Sequence, residues 1–193
     1  MPRRCLVYAL AIVAATLWWI VGSKPGRAAP PPSDICFVAA PSPYDPNSGV
    51  PAFAPRKVPP GARCPVCGAF PFRAADWAAQ VIFDDGDAYF FDSPLTLFMY
   101  VSNPARYTPH RRAAEIAASY VRSMADGHWM ASNAAVYVRG SSVPGPMREG
   151  NLPAFENVAE ARSFIASHGG EVVLASRIDN RLLEGVAPGH MHR

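Results

Sequence analysis

Hydrophobic and polar positions divide the chain into four stretches. Cys5 to Val21 runs for 17 residues without a charge, and Gly22-Ser23 end it. From Pro25 to Pro60, 11 of 36 residues are proline. That density blocks ladders and helices and predicts an extended tether leaning towards polyproline II. From about Arg63 to Ile178, apolar residues recur at strand and helix spacings. The last fifteen residues are mostly polar, end in Gly-His-Met-His-Arg, and read as a loose tail.

The body reads as two similar halves. Trp77 to Phe83 is apolar and β-prone, Asp84-Asp85-Gly86-Asp87 is a turn signal, and Ala88 to Phe91 is strand-like again: a hairpin. Ser93 then caps a short helix with Pro94 at its first position and Leu95, Leu97, Phe98 and Tyr100 on its apolar face. Glu115 to Arg122 is open between helix, from its alanines, and strand, from the alternation Ile116, Ala118, Tyr120. In the second half, Ala134 to Arg139 predicts a strand, and Leu152 to Phe155 a partner for it after a long loop. Asn157-Val158-Ala159-Glu160 is a capping box opening a helix that Gly169-Gly170 close. Glu171 to Leu174 is a last strand. The expected fold is α+β, two tandem ββαβ units at about 63–125 and 126–178. A signal or anchor (1–29) and a tether (30–62) precede them, and a tail (179–193) follows.

Charge sharpens the first stretch. Of the 18 Lys and Arg, four (Arg3, Arg4, Lys24, Arg27) lie in the first 29 residues, where no acidic residue occurs. The remainder has 14 basic against 15 acidic residues, so the net charge of +3 belongs to the leader. A body this close to neutral offers no footprint for nucleic acid. A basic n-region, an apolar run and a small-residue patch follow the order of a secretory signal. The same run, with Trp18-Trp19 at its end, also suits a retained anchor at the short end of membrane-spanning lengths. Either outcome places the body outside the cytoplasm, because the positive flank stays inside. Ser33-Asp34-Ile35 before Cys36 form no lipobox.

Candidate chemistry sits on sulfur. Cys64-Pro65-Val66-Cys67-Gly68 is a knuckle that turns two sulfurs towards one point. The remaining cysteines, Cys5 and Cys36, lie in the leader and the tether, so a closed tetrahedral zinc site is not expected unless His residues complete it. Two readings stay open: a soft-metal site, or a structural Cys64–Cys67 disulfide of an exported protein. Met147, in a Gly/Pro loop, is a candidate thioether ligand, whereas Met130 reads as core. Thiolate with thioether selects Cu(I). His110 and His128 read as surface residues and His168 as a helix cap, and His190-Met191-His192 offers only a short motif in the tail.

The order of these motifs resembles the NosL family. It runs from Cys64-Pro-Val-Cys67-Gly68 through Ala79-Gln80-Val81, Asp85-Gly86 and Phe90-Phe91-Asp92. Trp129, Ala134-Ala135-Val136-Tyr137-Val138, Gly145-Pro146-Met147, Phe155 and His168-Gly169-Gly170 continue it. The resemblance spans about Arg63 to Ile178. It implies two ββαβ units like part of organomercurial lyase, and so a strand at Glu115 to Arg122. It also implies a non-enzymatic, periplasm-facing Cu(I) chaperone for maturation of a copper enzyme, nitrous oxide reductase, in denitrification. The expected metal ligands are Cys67 and Met147, with Cys64 a third ligand or a redox partner. The expected partners are a copper-enzyme apoprotein, or a membrane copper-assembly or transport complex. The alternative is a metal-free exported interaction module stapled by a Cys64–Cys67 disulfide. The likeness to organomercurial lyase implies a third reading, thiol-based carbon–metal cleavage, which needs a carboxylate beside the cysteines; nothing in the sequence puts Asp92 or Asp126 there. Two positions depart from the family pattern. Ala69 stands where Cys-Gly-Met is usual, removing one thioether. Arg148 stands in place of the glycine of Gly-x-Met-Gly, a cation beside the proposed loop.

Overall fold

The protein is described by a computed structural model over residues 39–146 and 151–186. The expected signal or anchor, Cys36, Met147, Arg148 and the His190–His192 motif lie outside the described residues. Among those described, no helix is long and apolar enough to cross a membrane.

The first half is built on β1 (Ala79–Phe83), which pairs antiparallel with β2 (Ala88–Phe91) through the Asp84–Asp87 turn. On its other edge β1 pairs antiparallel with β3 (Ile116–Arg122), and β3 with β4 (Trp129–Ala131), giving the order β2-β1-β3-β4. Between β2 and β3 run α1 (Pro94–Ser102) and the single turn α2 (Pro104–Tyr107). The Ser93 side chain accepts the Thr96 N–H at 3.4 Å, the expected cap. In β3, alternation prevails over the helical bias of alanine because strands on both sides satisfy its backbone.

In the second half, β5 (Val136–Arg139) lies between β6 (Ala154–Phe155) and β7 (Glu171–Leu174), both antiparallel to it, with α3 (Val158–His168) ahead of β7. Strand, strand, helix, strand is therefore the order in both halves, with β4 an extra strand on the first.

Every residue of β1 is buried, a pattern that one covered face cannot produce. Ala79, Val81 and Phe83 belong to the main core with Leu97, Met99 and Tyr100 of α1. Ile82 points the other way, into a smaller cluster with Phe90 and Val58. Val58 comes from the proline-rich segment expected as a tether. From residue 39 onward that segment instead packs as a cover on the first sheet. Ser42 bridges Ala88. The Arg56 N–H donates to Gln80 Oε1 at 2.9 Å, while Gln80 Nε2 donates to Arg56 O at 3.0 Å. The fully buried Gln80 amide thus pairs with a backbone as a strand would, satisfying it without a ladder. At Gly86 (φ +86°) a Cβ would come within 2.7 Å of Tyr44 Cβ, so only glycine admits this cover.

The expected tail also departs from a loose chain. Asn180–Val186 forms α4, and Leu183, 1% exposed, enters the main core. That core draws on both halves: Tyr137 of β5 meets Phe98 of α1 edge to face, with ring centroids 5.1 Å apart.

Candidate metal centre

Cys64 and Cys67 occupy a tight turn. The Gly68 N–H donates to Cys64 O, and the Cys64 N–H to Ala69 O, each at 2.9 Å. Gly68 lies at φ +73°, a left-handed conformation that a side chain disfavours. Both cysteines are free thiols, Cys64 buried and Cys67 half-buried.

The third member of the site is Asp92, the last residue before the cap of α1. The Cys67 Sγ donates to Asp92 Oδ1 at 3.3 Å, and the Thr96 hydroxyl to the same oxygen at 2.8 Å. One ligand atom from each of Cys64, Cys67 and Asp92 lies within 4.8 Å of the other two. Among the described residues they form the one such group of three or more His, Cys, Asp or Glu residues. Asp92 is fully buried, and its Oδ2 has no hydrogen-bond partner. An orphaned carboxylate oxygen at that depth calls for a donor or a cation.

The Cys67 thiol is held well above the ordinary thiol range. Its hydrogen bond with Cys64 is the main cause, reinforced by burial, the Cys64 charge and the Asp92 charge, while the Ala69 N–H works the other way. Cys67 is thus arranged to keep its proton until something replaces it.

A cleft of about 510 Å3 opens onto this cluster, lined among others by Cys67, Asp92, Arg63, Phe70, Arg73 and Pro146. The Arg63 guanidinium lies 3.8 Å from the Phe70 ring centroid and that of Arg73 at 4.7 Å. Ala69 also lines the cleft.

The expected ligands divide accordingly. Cys64 and Cys67 come together, and Pro146 reaches the cleft wall, but Met147, next in the chain, lies outside the described residues. Met130 is buried in the main core. His128 pairs with Asp126 at 2.6 Å, and His168 packs against Phe164 at 4.6 Å between ring centroids. Asp92 is the residue that reading along the chain named but had no ground to place beside the cysteines. Its signal was weak, a carboxylate directly before a helix cap, and its 25-residue separation from Cys67 hides the contact.

A small antiparallel α+β protein with paired thiols and a buried carboxylate at an open cleft falls in the class of proteins equipped to hold a metal ion. More particularly, the chain belongs to the NosL family, whose model matches residues 55–183. The crystal structure of the copper chaperone NosL from Shewanella denitrificans shares the fold. It has TM-score 0.57 and 20% identity, over 68% of this chain and 99% of that one. The solution NMR structure of apo-NosL from Achromobacter cycloclastes is 27% identical over 54% of this chain and 87% of that one, with TM-score 0.39. No curated protein matches significantly.

Proposed function

We propose that the chain is an exported accessory protein that takes up Cu(I) at the Cys64–Cys67–Asp92 cluster and hands it to a copper enzyme. The observation carrying this reading is the cluster itself: two free thiols and one oxygen of the buried Asp92 carboxylate lie within 4.8 Å of one another, and Cys67 and Asp92 line an open cleft. Copper is the cargo, not a resident cofactor. Thiolates favour Cu(I) over harder ions, and the ion's positive charge would offset the Asp92 charge left in the core. Cys67 would be the principal ligand and Met147 the thioether, with Cys64 a third ligand or a redox partner. Pro146 on the cleft wall supports Met147, its neighbour in the chain, in that role. A site completed by a loop and left partly open suits transfer, because an incoming ligand can attack before the ion is released.

Membership of the NosL family supports nitrous oxide reductase as the acceptor, reached directly or through a membrane assembly or transport complex. The leader pattern supports a periplasmic location, free or anchored to the outer face of the cytoplasmic membrane. We read the role as carriage and not bond cleavage. Asp92 supplies the carboxylate that cleavage would need, yet its Oδ1 accepts from both Cys67 and Thr96. Both contacts commit that oxygen to positioning the thiol beside the cap of α1.

Anaerobic Cu(I) titration of the reduced chain against a competing chelator tests this. One tight site is expected, lost in Cys67→Ser and weakened about tenfold or more in Met147→Leu, a loss of about 1.4 kcal/mol or more. Absence of tight binding in the reduced wild type overturns the reading.

A further inference from the structure

The cleft above the thiols is far larger than its cargo. Its volume is about 510 Å3. That is within the range of small-molecule sites, roughly 300–1,000 Å3, and a bare ion would fill little of it. Charge is arranged in two layers. Asp92 is buried at the floor, while Arg63 and Arg73 bring two guanidiniums to the wall around Phe70. Arg73 is exposed, and among the described residues it pairs with no carboxylate. Guanidiniums favour carboxylates, through paired N–H donors that a lone ion at the floor would not use.

From this, and resting on the Cu(I) reading above, we infer that the cleft receives Cu(I) as a complex with a small thiol that bears carboxylates. Arg73 grips the carboxylate end while the metal reaches Cys67. The exchange balances without an oxidant or reductant. A bis-thiolate complex RS–Cu–SR meets the Cys67 S–H, and one Cu–SR bond breaks as the Cu–Sγ bond forms. The Cys67 proton leaves on the released RSH, and the second RS stays on the metal inside the cleft. Copper remains Cu(I) throughout. The retained thiolate then occupies the coordination position that a ligand of the acceptor takes later.

Glutathione serves as the anionic probe and cysteamine, a thiol carrying an amine, as its cationic counterpart. The full chain is loaded with Cu(I) in the presence of each at equal thiol concentration and examined by native mass spectrometry. The expected result is a protein–Cu–glutathione species at least tenfold more abundant than the cysteamine one, with the preference shrinking as salt rises. Arg73→Glu, at an exposed position, should abolish the preference and leave one Cu(I) per chain. Copper bound without glutathione, equal retention of the two thiols, or an unchanged preference in Arg73→Glu overturns this inference alone. Displacement of glutathione by a thiol-free acidic peptide would also overturn it, by assigning the basic wall to a protein partner. Failure to bind Cu(I) under any of these conditions overturns it together with the chaperone reading.

Discussion

Asp92 concentrates the chemistry of the site in one side chain. Its Oδ1 holds Cys67 and Thr96 while its Oδ2 has no partner, so one carboxylate both positions a thiol and leaves capacity for a cation. Its charge also helps hold the Cys67 proton on sulfur, behind the hydrogen bond with Cys64 and burial. Asp92→Asn keeps an acceptor and removes the charge. The Cys67 thiol should then react several-fold faster with iodoacetamide at pH 8, read by mass spectrometry of the alkylated peptide. The same upward shift sets a pH dependence for the metal-free chain. A thiol whose folded pKa exceeds its unfolded value contributes stability in full below about pH 8.5. That contribution is lost progressively as pH rises beyond it. Denaturant midpoints between pH 7 and pH 10 should therefore fall more steeply for the wild type than for Cys67→Ser. Metal uptake runs in the opposite sense, since each thiolate formed releases a proton and Cu(I) affinity should rise with pH.

At the scale of elements, local signals and distant partners divide the work. The β1–β2 hairpin, the Ser93 cap of α1 and the Asn157 cap of α3 follow from turn and capping chemistry within a few residues, and each appears where the pattern puts it. Three features had no such local signal. β4 is only three residues long and exists because β3 offers it an edge. The proline-rich segment cannot pair as a regular strand, yet it covers the sheet through single contacts, notably Arg56 with Gln80. The last helix is too short to stand alone, and it forms because Leu183 docks in the core. Leu183→Ala should therefore cost about 2–5 kcal/mol of unfolding free energy in a denaturant titration. A smaller loss, under about 1 kcal/mol, would mean that the end of the chain is as loose as its polarity suggests.

Across the whole body, the two ββαβ halves repeat an order of elements but do not keep separate cores. Leu97 and Tyr100 from the first half share a cluster with Tyr137 and Val173 from the second, joined by Leu183 from α4. Heating should accordingly give one transition, coincident by far- and near-ultraviolet circular dichroism, whereas two resolved transitions would show halves that fold independently. By itself, the sequence determined what depends on near neighbours. Strand alternation, caps and the knuckle turn act within a few residues, and motif order carried the family resemblance. The charged, apolar leader is equally visible but lies outside the described residues. Tertiary structure alone decided which surfaces meet: the cover over the second face of β1, the core shared by the two halves, and Asp92 beside Cys67 across 25 residues. The physical reason is that such contacts depend on how buried faces fit once the sheets have formed. Only when β2 and the knuckle come together does an ordinary carboxylate before a helix join two thiols at a cleft.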